Sequence, residues 1–272
     1  MKKNKNRAFL KWAGGKYGLI EDICKRLPEG KKLIEPFVGA GSVFLNTDYE
    51  NYLLNDINPD LINLYNELKN NTEFYIKESE KLFCAKNNQE ERFYQLRKEF
   101  NASNDIQFKS CLFLYLNRHG YNGLCRYNLS GGFNVPFGRY KSPYYPKKEL
   151  YYFAEKAQKA VFTCESYENT FKRSRKLDTV YCDPPYAPIS MTAKFTQYSK
   201  TAFTIEDQKN LAKLAKEHTD KKQCHVLISN HDTPFTREIY SQADVTQLMV
   251  SRTISQKGDK RVKVSELLAL YK

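Results

Sequence analysis

No run of about 18 apolar residues occurs in this chain, so no membrane-spanning helix is expected. Seven cysteines are present, but none form a CxxC pair and none sit beside a histidine cluster. An odd, scattered set fits reduced thiols in a cytoplasm and argues against a disulfide framework or a zinc site; no metal is expected. The basic N-terminus, Met1 to Arg7, leads to Lys11 and Lys16 rather than to the apolar stretch of a signal peptide. There is no internal repeat and no low-complexity tract. Neither GxGxxG nor GxxxxGK[ST] occurs, which disfavours a dinucleotide and a nucleoside triphosphate as ligands. Acidic residues are the scarce charge: 31 Asp and Glu against 44 Lys and Arg, a net charge of +13. Lys and Arg attract phosphate without regard to sequence, so nucleic acid is the favoured partner; a solvated, Lys-rich surface is the bland alternative.

What is present suffices for a sizeable core, since 41% of 272 residues are hydrophobic. Strands are expected at Lys32 to Phe37, Tyr52 to Ile57, Ala160 to Cys164, Thr179 to Cys182, His225 to Ser229, Thr246 to Arg252 and Val264 to Tyr271. Helices are expected at Pro59 to Asn71, Lys147 to Gln158, Tyr167 to Arg173, Ile205 to His218 and Pro234 to Ala243, and one can start at Gly41 to Thr47. This alternation predicts an α/β fold, a doubly wound Rossmann-like and mostly parallel sheet covered on both faces. Three helical patterns, Phe74 to Phe83, Glu91 to Phe100 and Phe108 to His119, interrupt it. Residues His119 to Lys148 then hold seven aromatics, five glycines and five Lys or Arg, with no acid. Strand-like pieces at Tyr127 and Phe133 flank Ser130-Gly131-Gly132, which has hairpin-turn chemistry. The expected division is a domain of residues 1–58 and 145–272 with a helical and β-hairpin insert at 59–144.

Two motifs carry chemistry. Asp183-Pro184-Pro185-Tyr186 follows the strand Thr179 to Cys182. Each proline fixes its own φ and removes a donor, leaving nearby carbonyls free to accept hydrogen bonds. A planar amine can dock there, with its N–H groups on Asp183 and the Pro184 carbonyl and its ring on Tyr186. Glu35-Pro36-Phe37-Val38-Gly39-Ala40-Gly41-Ser42 is a glycine turn between a strand and a helix start, where backbone approaches a ligand closely. Asp56 ends the next strand, a usual place for a carboxylate that holds ribose hydroxyls. A simple tight turn is the alternative for the glycines. Phe9 to Lys16 holds the only tryptophan; Trp12 is either a ligand contact or an anchor for the N-terminus, and Lys16 a solvated helix-start residue unless a carboxylate faces it. Cys182 is expected to be a buried strand residue, and Asn230-His231-Asp232 a structural turn.

Phe9 to Lys16, Glu35 to Ser42, Asn55-Asp56-Ile57-Asn58 and Asp183 to Tyr186 stand in the order of Dam-type, α-group DNA adenine-N6 methyltransferases, which the chain resembles from Phe9 to Tyr271. Phe113-Leu114-Tyr115-Leu116-Asn117-Arg118 and Phe133-Asn134-Val135-Pro136-Phe137-Gly138-Arg139-Tyr140 belong to the same likeness, while His119 stands where that family usually has Tyr. The resemblance implies S-adenosylmethionine as methyl donor. By residue match it places Trp12, Lys16, Phe37, Gly39, Gly41, Asp56 and Asp183 at the cofactor, with Ser166 and Tyr167 beside its adenine. It assigns catalysis to Asp183, Pro184, Pro185 and Tyr186. It implies double-stranded DNA as partner, GATC as target, base flipping, a monomer in solution, and a bacterial or phage origin.

In the insert, Arg126 has the fork to read guanine O6 and N7. Asn122 can pair with the orphaned base, Tyr121 can wedge into the gap, and Leu124 and Pro136 can meet a thymine methyl. Lys11, Asn128, Asn134, Arg139, Tyr140 and Lys141 complete the expected DNA-facing set. The competing reading makes these aromatics a small satellite core and the cations plain surface. Three other functions stay open at this point: cytosine-N4 methylation of DNA, adenine methylation of RNA, and a non-catalytic DNA-binding protein on the same fold.

Overall fold

The computed structural model describes residues 5–186, 203–253 and 261–272, with no side-chain description for 251–253 and 261–264. Seven strands form one sheet: β1 (Lys32–Glu35), β2 (Asn51–Asn55), β3 (Ala160–Thr163), β4 (Thr179–Cys182), β5 (His225–His231), β6 (Asp244–Thr253) and β7 (Arg261–Tyr271). Their spatial order is β3-β2-β1-β4-β5-β7-β6. The five strands from β3 to β5 run parallel, and β7 pairs antiparallel with both β5 and β6. The chain winds outward from β1 through β2 to β3, then returns to lay β4 on the other side of β1. In an open parallel sheet this reversal opens a crevice at the strands' carboxyl ends. Glu35 ends β1 there, and Asp183 follows β4.

Period-two alternation sorts the strand side chains into two layers. Leu33, Tyr52, Leu54, Tyr181, Leu227 and Leu268 enter one core, and Ile34, Leu53, Val180, Cys182, Val226 and Ile228 the other. Helices α2 (Pro59–Asn70), α5 (Ile106–His119) and α6 (Lys147–Ala157) supply the first core; α7 (Tyr167–Lys172) and α8 (Ile205–Lys222) supply the second. Helix α2 starts where Pro59 fits the first turn and the Asn58 side chain accepts from the Asp60 and Leu61 amides. Its buried stripe, Leu61, Leu64, Tyr65 and Leu68, lies in the first core, where α2 packs against both β3 and α5. Between β2 and β3, helix α5 is the central helix; Leu112 to Asn117 are all buried, and α3 (Thr72–Glu80) and α4 (Glu90–Ala102) pack on it.

Four local expectations change. The segment after Gly41 makes only a 3-10 turn, Phe44–Asn46, because side chains take the carbonyls a helix would use. Thr47 Oγ1 donates to the Val43 carbonyl, and Asn46 Nδ2 to that of Ser42. Helix α9 (Pro234–Ile239) stops before Ala243, as Tyr240 leaves helical geometry with its ring fully buried. Residues Asn230 and His231 extend β5 rather than turning, paired with Leu267 and Glu266. The hairpin reduces to isolated bridges, Tyr127 to Phe133 and Gly120 to Phe137. Its turn is built by Asn128, whose Oδ1 accepts from the Ser130 and Gly132 amides.

Candidate active site

The glycine turn begins where β1 ends. Gly39 has φ +46°, and a Cβ there would lie 2.8 Å from Trp12 Nε1. The indole thus covers the turn, and glycine is the residue that allows it. The Gly39 amide donates to Asp56 Oδ2 at 3.1 Å, and the Asn58 amide to Asp56 Oδ1 at 3.0 Å. Two N–H donors orient the carboxylate, while burial raises its pKa. Gly41, at φ +71°, faces Phe44, Phe153 and Val38 instead; it shapes the turn and does not line the cavity.

Aromatic rings wall the far side. Phe37 and Tyr167 stack at 5.6 Å, and Phe203 meets Phe37 edge-on at 5.5 Å. Asn210 Nδ2 donates to the Tyr167 hydroxyl at 2.9 Å. Ser166 caps α7 by accepting from the Asn169 amide. Glu35 lies beneath the turn. It is buried, its Oε1 has no hydrogen-bond partner among the described residues, and burial followed by the nearby Asp183 charge pushes its carboxyl up to about 8.

Asp183 is held from one side. Lys16 Nζ approaches Oδ1 at 2.9 Å and Ser229 Oγ donates to the same oxygen at 3.0 Å. Ser229 also shares a 3.1 Å hydrogen bond with the buried Tyr181 hydroxyl. Among the described residues no hydrogen bond reaches Oδ2, and the side chain stays 22% exposed. Burial raises the Asp183 carboxyl, with Lys16 and Ser229 pulling the other way. The Pro185 carbonyl accepts from Gln208 at 2.7 Å, whereas no described residue donates to that of Pro184. Tyr186 is set by its hydroxyl, which donates to Glu266 Oε2 at 2.8 Å, and by His231 edge-on at 4.7 Å. Lys16 is not solvated: it is buried, donates to the Gly14 carbonyl at 2.7 Å, and lies 4.5 Å from the Tyr186 ring centre.

One cavity of about 810 Å³ joins these parts; Trp12, Glu35, Phe37, Asp56, Tyr167, Asp183 and Tyr186 all line it. Sequence reasoning passed over Ser229, Glu266 and the free oxygen of Glu35. Only Glu35 had a local signal, an acid ending a buried strand beside the glycines.

The fold brings some of the expected DNA-facing residues together and scatters others. Lys11 Nζ sits 3.9 Å from the Tyr140 ring centre, and the Tyr140 hydroxyl accepts from the Asn122 amide at 2.9 Å. Tyr121, Asn122 and Pro136 are exposed; Leu124 packs partly into the core. Arg126 spends its fork on Asn134, with Nε on Oδ1 at 2.8 Å. Arg139 pairs with Glu90, and Asn88 donates to the carbonyls of Tyr140 and Lys141. His119 is a core residue, its ring 4.0 Å from that of Tyr115 and its pKa lowered to about 4 by burial.

Residues 12–254 match the family of D12 class N6 adenine-specific DNA methyltransferases. This chain belongs to that family. The enzyme is 59% identical over 268 residues to the DNA adenine methylase of Escherichia coli (strain K12), covering 98% of this chain and 96% of that protein. It is 57% identical over 267 residues to the DNA adenine methylase of Vibrio cholerae serotype O1, with the same coverage. For that of Serratia marcescens the identity is 56% over 268 residues, covering 98% of this chain and 99% of the other. The cavity therefore belongs to an adenine-specific DNA methyltransferase, and the substrate is DNA. No helix among the described residues of this methyltransferase is long and apolar enough to cross a membrane.

Proposed function

We propose that this enzyme moves a methyl group from S-adenosylmethionine to N6 of adenine in double-stranded DNA, within GATC, on a base swung out of the stack into the Asp183–Tyr186 pocket. The observation that carries the reading is a carboxylate with one anchored and one open oxygen, in the same cavity as the glycine turn and Asp56.

The residues around the turn suit the cofactor. Asp56 uses one lone pair of each oxygen on the Gly39 and Asn58 amides, which leaves capacity for two ribose hydroxyls. The buried Glu35 Oε1 has no partner among the described residues and suits the cation that a methionine ammonium provides. Phe37 and Tyr167, with Ser166 beside them, offer a wall for an adenine ring, and the Trp12 ring faces the cavity near the turn. Bound there, S-adenosylmethionine supplies an electrophilic methyl carbon on a sulfonium.

The chain's own groups prepare the target. The exocyclic amine of adenine is a poor nucleophile because its lone pair is delocalised into the ring. Asp183 Oδ2 and the Pro184 carbonyl accept hydrogen bonds from its two N–H groups and draw the lone pair out of conjugation; as N6 takes the methyl, the carbon–sulfur bond would break with its electron pair left on sulfur, and N6 would then shed one proton. As positive charge grows on nitrogen, the Asp183 carboxylate stabilises it in a dry site. Lys16 and Ser229 keep Asp183 oriented for this from Oδ1. Tyr186 stacks on the base, worth about 1–3 kcal/mol against an unstacking cost of about a few kcal/mol.

Residues 59–144 form the proposed recognition insert. Tyr121, Asn122, Leu124, Arg126, Asn128, Asn134, Pro136, Arg139, Tyr140 and Lys141 within it, together with Lys11 from the N-terminal segment, are the proposed DNA-facing residues, Arg126 releasing Asn134 to read a guanine. Duplex incubated with enzyme and S-adenosylmethionine, then cut with nucleases of opposite sensitivity to methyl-A in GATC, tests the site. Methyl-adenine outside GATC would remove the sequence assignment. Asp183→Ala should lower turnover by at least about 10³-fold with duplex affinity retained, and turnover within tenfold of wild type would remove its catalytic role.

A further inference from the structure

Asn117 sits in the last turn of α5, is buried, and uses its side-chain amide on the remote Lys11 and on the turn just past the helix end. Its Oδ1 accepts from the Lys11 amide at 2.9 Å, and its Nδ2 donates to the Lys11 carbonyl at 2.8 Å and the Gly123 carbonyl at 3.3 Å. The side chain thus pairs with Lys11 as a neighbouring strand would. Gly123 completes the junction. Its φ is +62°, and a Cβ there would lie 2.1 Å from Lys11 Cβ. The lysine stem lies directly on this backbone, and its ammonium runs to Tyr140, whose hydroxyl accepts from the Asn122 amide. From the same junction the chain continues to Trp12, which covers Gly39, and to Lys16, which holds Asp183.

We propose that Asn117 is a positioning residue for sequence specificity. It sets the turn Tyr121-Asn122-Gly123 in register with the Lys11–Lys16 strap. Contacts made to bases at one end are thereby tied to the placement of the catalytic carboxylate at the other. Removing the clasp frees Lys11 and the turn to settle independently, so correct and incorrect sites become more alike in the transition state. This deepens the proposed reading of Lys11 and the 121–128 segment as DNA-facing and rests on it.

The test uses the full chain with Asn117→Ala and Gly123→Ala, which break the same junction from opposite sides. For each, kcat and KM are measured on a duplex carrying the preferred site and on duplexes altered at one base pair. The ratio of kcat/KM between preferred and altered sites should fall by about tenfold or more. Calorimetric affinity for S-adenosylmethionine should stay within about twofold. A merely structural lesion lowers the active fraction and scales both substrates alike, leaving the ratio unmoved. Ratios within about threefold of wild type overturn the clasp. Where Asn117→Ala does not fold, Gly123→Ala decides alone. A wild-type enzyme without discrimination takes down the parent reading and this one together, whereas a discriminating wild type with unmoved variants overturns this one only.

Discussion

Glu35 and Asp183 face one cavity, yet their partners set them differently. Asp183 has Lys16 and Ser229 on one oxygen, while no described residue bonds to Glu35 Oε1. Glu35 is held up to about 8 against an ordinary value of 4.5, so the folded chain keeps its proton over a range where the unfolded chain releases it. That contribution is complete below the ordinary value and is lost progressively as pH rises toward the folded one. Thermal unfolding of the cofactor-free protein should therefore show a decline across this window that Glu35→Gln removes. Equal slopes in the two proteins would mean the carboxyl is compensated. Ser229→Ala removes one hydrogen bond to a charged oxygen, a group worth about 1.5–3 kcal/mol. Turnover should fall about 10- to 100-fold while KM for DNA stays put, because Ser229 orients Asp183 and touches no substrate. A change confined to KM would contradict that role.

At the scale of elements, the glycine turn depends on backbone that a side chain would spoil. Gly39→Ala forces an L-residue to φ +46°, at about 1–2 kcal/mol, and drives a methyl against Trp12. Affinity for S-adenosylmethionine should drop about tenfold or more, with a melting temperature a few degrees lower. Unchanged affinity would show that the turn does not hold the cofactor. The flanking strands were legible because β-branched and apolar runs ending at Glu35 and Cys182 need no distant partner to be recognised. The missing helix after Gly41 and the loose hairpin were not. Both are decided by side chains that bond locally to backbone, Thr47 and Asn46 in one case and Asn128 in the other.

For the whole molecule, the net charge of +13 predicts how DNA affinity answers to salt. Each phosphate neutralised releases counterions, so binding to a duplex without the preferred site should fall log-linearly. Between about 50 and 200 mM salt the loss should be about 10³-fold or more if six or more phosphates are met. Arg139→Ala or Lys141→Ala should reduce the slope by about one each. A flat salt response would assign the excess charge to plain surface. The continuous cores on both sheet faces keep these cations and the catalytic cavity on one body.

The sequence by itself determined the strand–glycine-turn and strand–carboxylate–proline motifs, the acid just after β2, the α/β alternation and the family, because each is written in neighbouring residues. Which groups meet was decided only by the tertiary structure. Ser229 reaches Asp183 across 46 residues, and Asn117 reaches Lys11 across 106. Lys16 becomes a buried ion-pair partner only because β4 returns beside β1 and brings a carboxylate opposite it. Such contacts follow from strand order and from helices laid over the sheet, and no local window of sequence encodes a distance between segments that far apart.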